Sequence, residues 1–385
     1  MEKVGVAGLV FGTPEEQRIR LILKALLQSN SVTMSGQALL DLIRNTLENA
    51  AEGGSAQALA QRLLDLRIVL VYADGSAQPN NSSEPISNGP FSVEASYQPA
   101  FRTNKYVINS LYELPPDEAS SSAQSVARLV ASLREETLSL YAKHLRPDGS
   151  AVDYQGCKAS ESFFDFQIAA CELQRIAVQA LAQTLNLDER KAFLINLYNT
   201  LVIHGHIVLG HPDTPDLRNA FFGKCAYSIG GQTWTLDYIE HVALRGNRPK
   251  PFATEPLLPL NDERLVLKMP EVDCRVHFAL NCGAKSCPPI KMYTASNLHH
   301  QLEEAARAFC EDDSNVLVVD ATTLCLSKIL FWYGSDFAPT PNEVLRVVAG
   351  FLQGNKKTEL LAALNSGNEL TISYFDYDWG ENAQQ

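Results

Sequence analysis

The stretch DERKAFLINLYNTLVIHGHIVLG, residues 188–210, is an apolar run that a few polar side chains interrupt. Asp188 can cap the start of a helix, Glu189 places an acid in its first turn, and Gly210 can end it. The pattern therefore predicts a single helix of about twenty residues.

Asparagines and histidines are the notable polar side chains of this predicted helix. Asn196 and Asn199 are three residues apart on one side, and His206 follows on nearly the same line. His204 lies to the other side of Asn196. An unpaired buried amide costs roughly 1–3 kcal/mol, so each asparagine needs hydrogen-bond partners. Two interpretations are open: the asparagines fasten neighbouring loops, or they take part directly in catalysis.

A second segment, DCRVHFALNCGAKSCPPI, residues 273–290, carries two cysteines close together. RVHFAL alternates as a strand does, and NCGAKSCPP has the glycine and prolines of a turn leaving it. Loops at strand ends commonly display reactive groups, so Cys282 and Cys287 are candidate nucleophiles. Lys285 between them can favour a thiolate.

A thiol nucleophile needs a base within hydrogen-bond reach, and either His277 or His204 can supply one. The alternative is that Cys282 and Cys287 are ordinary small buried residues. A zinc site made of Cys274, His277 and the two loop cysteines has suitable spacing. On a strand, however, Cys274 and His277 would point to opposite faces, so we expect no metal site.

The segment TWTLDYIEHVALRGNRPKPF, residues 233–252, predicts a short helix that begins at Thr235. Glu240, His241 and Arg245 lie on this helix. An exposed polar helix face would explain them without any function. In the functional interpretation Glu240 orients a histidine or Arg245 binds an acidic group, and His241, one turn from Arg245, is a further binding candidate.

The N-terminal part of the chain has a different pattern. Apolar residues recur at helical spacing in three segments, and two strand-like runs flank a long polar loop. The helical segments are residues 15–27, 36–49 and 55–66, and the strand-like runs are residues 68–73 and 104–112. Three helices followed by a hairpin with a long wing predict a winged-helix module.

In the order of SGQALLDLIRN, ALAQRLLDLRIVLVYADGS and KYVINSLYEL, residues 13–115 resemble a DEP domain. The resemblance implies a docking role in intracellular signalling, on a membrane surface or on a receptor tail. Residues 1–115 contain 9 Lys/Arg and 11 Asp/Glu, a net charge of −2, so charge does not support a membrane surface. We therefore expect a protein partner.

Five later segments occur in the order typical of the DUF547 family, a domain of unknown function. They are KAFLINLYNTLVIHG, WTLDYIEHVALRG, RVHFALNCGAKSCPP, LSKILFWYGSDF and YFDYDWGEN, within residues 190–382. The resemblance implies that these segments meet in one domain, but it carries no established activity. It also implies that the tail docks into this domain, which would bring Asp378 near the cysteine loop or the asparagine helix.

Composition limits the possible partners. The formal net charge of the 385-residue chain is −12, which argues against nucleic-acid binding. Eight cysteines scattered along a large chain are typical of a reduced, cytoplasmic protein. No cofactor is expected, and no stretch suggests a membrane span.

The sequence thus predicts an α+β protein in three parts. Residues 13–115 form a DEP-like winged helix, residues 116–160 a linker with a connecting helix, and residues 161–385 a mixed domain whose small sheet contains RVHFAL. The predicted function is intracellular signalling or scaffolding. The alternative is a Cys/His-dependent hydrolase or transferase acting on an amide or ester, in which Asn196, Asn199, Glu240 or Asp378 orients the base or stabilises the oxyanion.

Overall fold

The computed structural model describes residues 13–29, 33–49, 56–66, 68–72, 91–92, 95–99, 106–111, 114, 116 and 119–384. Over these residues the protein is mixed α+β with three small sheets, which confirms the predicted class. The polar loop predicted before the second strand-like run lies largely outside them.

Helices predominate along the chain, with short strands between groups of them. The helices are α1 Pro14–Gln28, α2 Gly36–Asn49, α3 Ala56–Asp65, α4 Ala123–His144, α5 Tyr154–Lys158, α6 Glu161–Cys171, α7 Val178–Thr184, α8 Leu187–Leu209, α9 Pro215–Lys224, α10 Leu298–Glu311, α11 Lys328–Trp332, α12 Gly334–Phe337, α13 Pro341–Phe351 and α14 Gly354–Asn365. The strands are β1 Met34–Ser35, β2 Val69–Tyr72, β3 Ser96–Pro99, β4 Ala226–Ile229, β5 Gln232–Thr235, β6 Val316–Val318, β7 Thr323–Leu326 and β8 Thr371–Tyr374.

The chain divides into two compact units. The N-terminal unit comprises the described part of Met1–Leu140 together with Ala159–Thr184 and Lys224–Trp234. The C-terminal unit comprises Tyr141–Lys158, Leu185–Gly223 and Thr235–Gln385. The chain passes between the two units several times.

The core of the N-terminal unit includes α6. Phe164, Ile168 and Cys171 of this helix are buried in the same cluster as the apolar faces of α1, α2 and α3. Burial of these apolar side chains makes α6 part of the same core as α1, α2 and α3.

The three-stranded sheet of the N-terminal unit has the order β1-β3-β2, with both pairings antiparallel. The strand predicted at residues 104–112 is wrong for its described part, residues 106–111, which form turns and a single bridge from Val107 to Ala226. The side chain of Asn109 explains the irregular backbone. It donates to the carbonyls of Ala170 and Ser228 at 2.9 Å and accepts from the Ser228 N–H at 2.8 Å.

In the C-terminal unit, α8 is the predicted long helix, and Gly210 ends it with a φ of +86°. The predicted cap is wrong by two residues. Asn186 caps the helix by accepting from the N–H groups of Asp188 and Glu189, both at 3.0 Å, and Glu189 bonds back to Asn186. This capping box satisfies otherwise unpaired donors.

By length and composition α8 could cross a membrane, contrary to the sequence-based expectation for the chain. Within the protein, 83% of its apolar window is buried, as in the core helix of a folded domain.

RVHFAL is not a strand, and the predicted small sheet does not contain it. Residues Cys274–Phe278 form a 3₁₀ helix that Asp273 caps by accepting from the Arg275 N–H at 3.2 Å. Asp273 also accepts from the side chains of Arg275 and Lys191. This ion-paired cap favours a helical turn over the extended conformation that the alternating pattern predicted.

The sheet of the C-terminal unit has the order β6-β7-β8, with β6 and β7 antiparallel and β7 and β8 parallel. It packs with α10, α13 and α14 around a second apolar core. The backbone N–H of Phe375 continues the pairing by donating to the Leu326 carbonyl at 2.9 Å. The sheet thereby directs the tail that follows β8.

Candidate functional site

A cavity of about 430 Å³ lies in the C-terminal unit. This volume is in the range of small-molecule sites. Residues from α8, α9, the segment after β5, the cysteine loop, α11 and the tail line it. Its polar lining includes Cys282, Cys287, His277, Glu240, His241 and Tyr377.

Two free thiols lie side by side in this cavity. The sulfurs of Cys282 and Cys287 are 2.8 Å apart, and the backbone N–H of Cys282 donates to the Cys287 sulfur at 3.2 Å. The Cys287 N–H donates to the Ala284 carbonyl at 3.1 Å, which closes the turn between them. The loop is therefore built to present both sulfurs together.

The tail supplies a third member of this group. The Tyr377 hydroxyl lies 3.2 Å from the Cys287 sulfur and 3.7 Å from the Cys282 sulfur. Trp332 and Trp379 hold the Tyr377 ring at centroid distances of 5.0 and 4.6 Å. The tail docks into the domain, and it brings to the thiols a residue that the sequence analysis had not named as part of the site.

Backbone hydrogen bonds fix the tail on the cysteine loop. The Asp378 N–H donates to the Ser286 hydroxyl at 2.8 Å, and the Lys285 N–H donates to the Gly380 carbonyl at 2.8 Å. Asp378 therefore lies near the loop, as the tail's position predicted. Its carboxylate accepts from the Gly380 N–H, however, and it does not line the cavity.

The two thiols have opposite pKa shifts. Burial raises the pKa of Cys287, but hydrogen bonds from Cys282 and Tyr377 outweigh it and lower the pKa overall. The pKa of Cys282 rises, first because it donates to Cys287 and then through burial. Burial raises the pKa of Cys157 and Cys310 to about 12. Cys287 is thus set apart from these thiols by its hydrogen bonds.

Lys285 lies in the cysteine loop, and its predicted effect on the thiols stays a prediction. Its side chain is exposed and does not line the cavity. The donors that favour a Cys287 thiolate are the Cys282 N–H, the Cys282 thiol and the Tyr377 hydroxyl.

His277 lines the cavity, and Asp336 and Tyr333 hold its ring in place. Its Nε2 lies 2.8 Å from the Asp336 carboxylate, and its ring stacks on Tyr333 at 4.0 Å. Since Nε2 is engaged in this hydrogen bond, Nδ1 is the ring nitrogen left for a substrate. Asp336 is a further residue that the sequence reasoning missed, because it lies 59 positions from His277.

Arg245 binds an acidic group, but that group belongs to the protein itself. Its guanidinium donates to Asp336 at 2.5 and 3.1 Å and contacts His241 Nδ1 at 2.9 Å. Arg245 is buried and does not line the cavity. It is therefore a support for the Asp336 carboxylate, whereas His241 does line the cavity.

Glu240 accepts from the Tyr333 hydroxyl at 2.6 Å. Burial raises its pKa, but His241, Tyr333 and nearby positive charge outweigh burial and lower it. Its carboxylate lies 3.8 Å from His241 Nδ1 and lines the cavity. Thr235 accepts from the Tyr238 N–H at 3.1 Å at the start of this segment, whose residues Tyr238–Leu244 form a π-helix.

The asparagines of α8 bond to loops. Asn196 exchanges two hydrogen bonds with the backbone of Tyr293, at 2.8 and 2.9 Å. Asn199 donates to the Ala279 carbonyl at 2.9 Å and accepts from the Asn281 N–H at 2.8 Å. Neither lines the cavity, so the contacts fit the loop-fastening interpretation and not a place beside the thiols.

His204 does not lie in the cavity either. It is fully buried on α8, and burial lowers its pKa to about 3. The alternative zinc set is also not assembled. Among the residues that the structure describes, Cys274, His277 and the thiol pair are not a group whose ligand atoms converge. His277 directs Nε2 to Asp336 instead.

The family model described as "Protein of unknown function, DUF547" matches residues 182–310. The match supports the DUF547 family. It covers α8, the π-helix and the cysteine loop, and thus much of the cavity wall. Residues outside it, including the tail and α1 to α6, gain no support from this match. The comparisons with curated proteins and with solved structures gave no match.

Proposed function

We propose that the C-terminal unit is a thiol-dependent enzyme, a hydrolase or transferase that acts on an amide or an ester. The observation that carries this proposal is the Cys287 sulfur, which accepts from the Cys282 N–H and lies 3.2 Å from the Tyr377 hydroxyl in a cavity of about 430 Å³. A thiol with stabilised negative charge is the reactive form of cysteine.

In the proposed reaction the Cys287 thiolate adds to the carbonyl carbon of the substrate. The tetrahedral intermediate expels an amine or alcohol, which takes up a proton, and a thioester forms on Cys287. Water or an acceptor amine or alcohol then attacks the thioester and regenerates the thiol. His277 Nδ1 is the candidate to move these protons, because Asp336 holds Nε2.

The aromatic side chains of the cavity favour a substrate with an apolar or aromatic part. Trp332, Trp379 and Phe252 line the cavity, and Phe252 is 78% exposed. Arg218 lies over the Trp379 ring at 4.6 Å and adds a positive charge to the same wall. These side chains would bind the substrate while the thiol reacts with its carbonyl.

The experiment is a screen of chromogenic esters and peptide amides with the full chain. The test variant is Cys287→Ser and the matched control is Cys310→Ser, since Cys310 is buried and does not line the cavity. We expect Cys287→Ser to remove turnover and the covalent acyl adduct seen by mass spectrometry, and Cys310→Ser to retain both. Turnover that survives Cys287→Ser would contradict the proposal.

For the N-terminal unit we propose a DEP-like winged helix that docks the protein to a cytoplasmic protein partner. The element order α1-β1-α2-α3-β2-β3 and the antiparallel sheet order β1-β3-β2 support it. The net charge of −2 over residues 1–115 favours a protein over an anionic membrane or nucleic acid. Flotation of the full chain with phosphatidylserine vesicles tests this choice, because strong binding would argue for the membrane.

A further inference from the structure

Two histidines and a carboxylate converge beside the tail, away from the cavity. They are His206 in the last turn of α8, His211 just after that helix, and Glu381 in the tail. One possible ligand atom from each lies within 4.8 Å of the others. None of the three lines the thiol cavity.

The closest pair already has the spacing of zinc ligands. His206 Nδ1 and Glu381 Oε1 are 3.3 Å apart. Tetrahedral zinc with bonds of about 2.0–2.1 Å places its ligand atoms about 3.3 Å from one another. A ligand atom of His211 lies within 4.8 Å of both partners, and His211 lies on a loop rather than on a helix.

The His206 ring is fixed before any ion arrives. Its side chain is fully buried, Tyr154 stacks on it at 5.3 Å, and Phe221 meets it edge-on at 5.2 Å. Gly283 lies directly against it, since a Cβ at this position would come 2.4 Å from the ring. Such packing fixes the orientation of a ligand ring, as the supporting residues of metal sites do.

The third side chain offers an unused ring nitrogen. Among the residues that the structure describes, Nδ1 of His211 is buried without a hydrogen-bond partner, although the residue is partly exposed.

We propose that His206, His211 and Glu381 bind a divalent transition metal of the Zn²⁺ class. Two histidines and a glutamate are an established zinc ligand set, which leaves a fourth position for water. The ion would join the end of α8 to the tail. The tail is also held by the Asn382 N–H, which donates to the Gly283 carbonyl at 3.0 Å, and it carries Tyr377 to the thiols.

This site does not depend on the proposed enzyme activity. A metal here would hold the tail whether or not Cys287 is a nucleophile. The competing explanation of the cluster is a plain ion pair between His206 and Glu381, which would bind no metal. The two explanations differ in the metal content of the protein, which can be measured without a substrate.

The test is calorimetric titration of the chelator-treated full chain with Zn²⁺, repeated with Co²⁺ to record its absorption spectrum. We expect one equivalent of metal per chain and a Co²⁺ spectrum without sulfur charge-transfer bands. His211→Ala and Glu381→Gln should each weaken binding at least about tenfold, while His299→Ala, at an exposed histidine outside the cluster, should not.

Because the thiol pair can itself bind zinc, the double variant Cys282→Ser, Cys287→Ser is the decisive control. Full binding by this double variant supports the proposed site. Loss of binding in it, or binding that is equally strong in Glu381→Gln and His211→Ala, would overturn the proposal. So would the absence of any binding by the wild-type chain.

Discussion

The Tyr377 hydroxyl lies 3.2 Å from the sulfur of Cys287, although 90 residues separate them in the chain. Burial raises the pKa of Tyr377 well above its ordinary value, with the nearby thiols adding to the effect, so the hydroxyl remains a donor at neutral pH. The tail is thereby part of the thiol site and not only a closing segment. This contact is one physical reason for the aromatic residues in the tail.

Tyr377→Phe should raise the pKa of Cys287, since it removes one donor and keeps the ring contacts. A hydrogen bond to a charged group contributes about 1.5–3 kcal/mol, which corresponds to about one to two pKa units. The measurement is iodoacetamide alkylation against pH, followed by peptide mass spectrometry. Tyr374→Phe is the control, because the Tyr374 ring contacts Phe331 and not the thiols. If the pH dependence of Cys287 alkylation is unchanged in Tyr377→Phe, the tyrosine hydroxyl does not influence the thiol.

Asp336→Asn should destabilise the fold at neutral pH by about 3–5 kcal/mol, because it leaves the buried Arg245 without its anion. Asp336 accepts from Arg245 at 2.5 Å and from His277 at 2.8 Å. Burial raises its pKa, but these two partners outweigh burial and lower it well below the ordinary 3.8. Urea unfolding at pH 7 measures the difference.

The same network predicts how stability depends on pH. Since the folded-state pKa of Asp336 is lowered, its contribution is complete above about pH 4 and is lost as the pH falls below that value. The difference in the free energy of unfolding between wild type and Asp336→Asn should therefore become smaller in acid. Asp376→Asn is the control, because Asp376 is fully exposed in its pair with Lys328, and it should change nothing measurable. A difference in the free energy of unfolding that stays constant down to pH 3 would contradict this account.

The sequence patterns correctly predicted those features that neighbouring residues determine. The length of α8 followed from its apolar run and from Gly210, and the cysteine loop followed from its glycine and prolines. RVHFAL has the alternation of a strand, but Asp273 and its ion pairs with Arg275 and Lys191 make a 3₁₀ turn more favourable. The partner that decides this conformation lies on α8, far away in the sequence.

The site was predictable only in part for the same reason. The cysteine pair and His277 are close in sequence, and they were named. Tyr377 and Asp336 act on them from distant segments, and no spacing rule connects these positions. Lys285 lies between the two cysteines in sequence, but its side chain is exposed, and its electrostatic role stays a prediction.

Gly283→Ala should be more destabilising than Gly210→Ala. Both glycines have a φ of +86°, so both substitutions carry a similar backbone strain. A Cβ at Gly283 would also lie 2.4 Å from the His206 ring, whereas nothing lies within 4 Å of one at Gly210. Overpacking of this kind costs about 1–3 kcal/mol, and urea unfolding of the two variants would reveal it. Equal losses of stability in the two variants would show that the His206 ring moves aside freely.

Asn199→Ala should lower both the stability and the order of the cysteine loop. Asn199 is 1% exposed and bonds to the Ala279 carbonyl and the Asn281 N–H, immediately before Cys282. Its removal leaves two buried backbone groups unpaired at about 1–3 kcal/mol each. The control is Asn365→Ala, since Asn365 is exposed and accepts only from the exposed Arg346 at 3.3 Å. Urea unfolding should separate the two variants by at least about 2 kcal/mol, and Cys287 alkylation in Asn199→Ala should move toward that of an ordinary thiol. If alkylation stays at the wild-type level while stability falls, the asparagine supports the fold but does not set the geometry of the thiols.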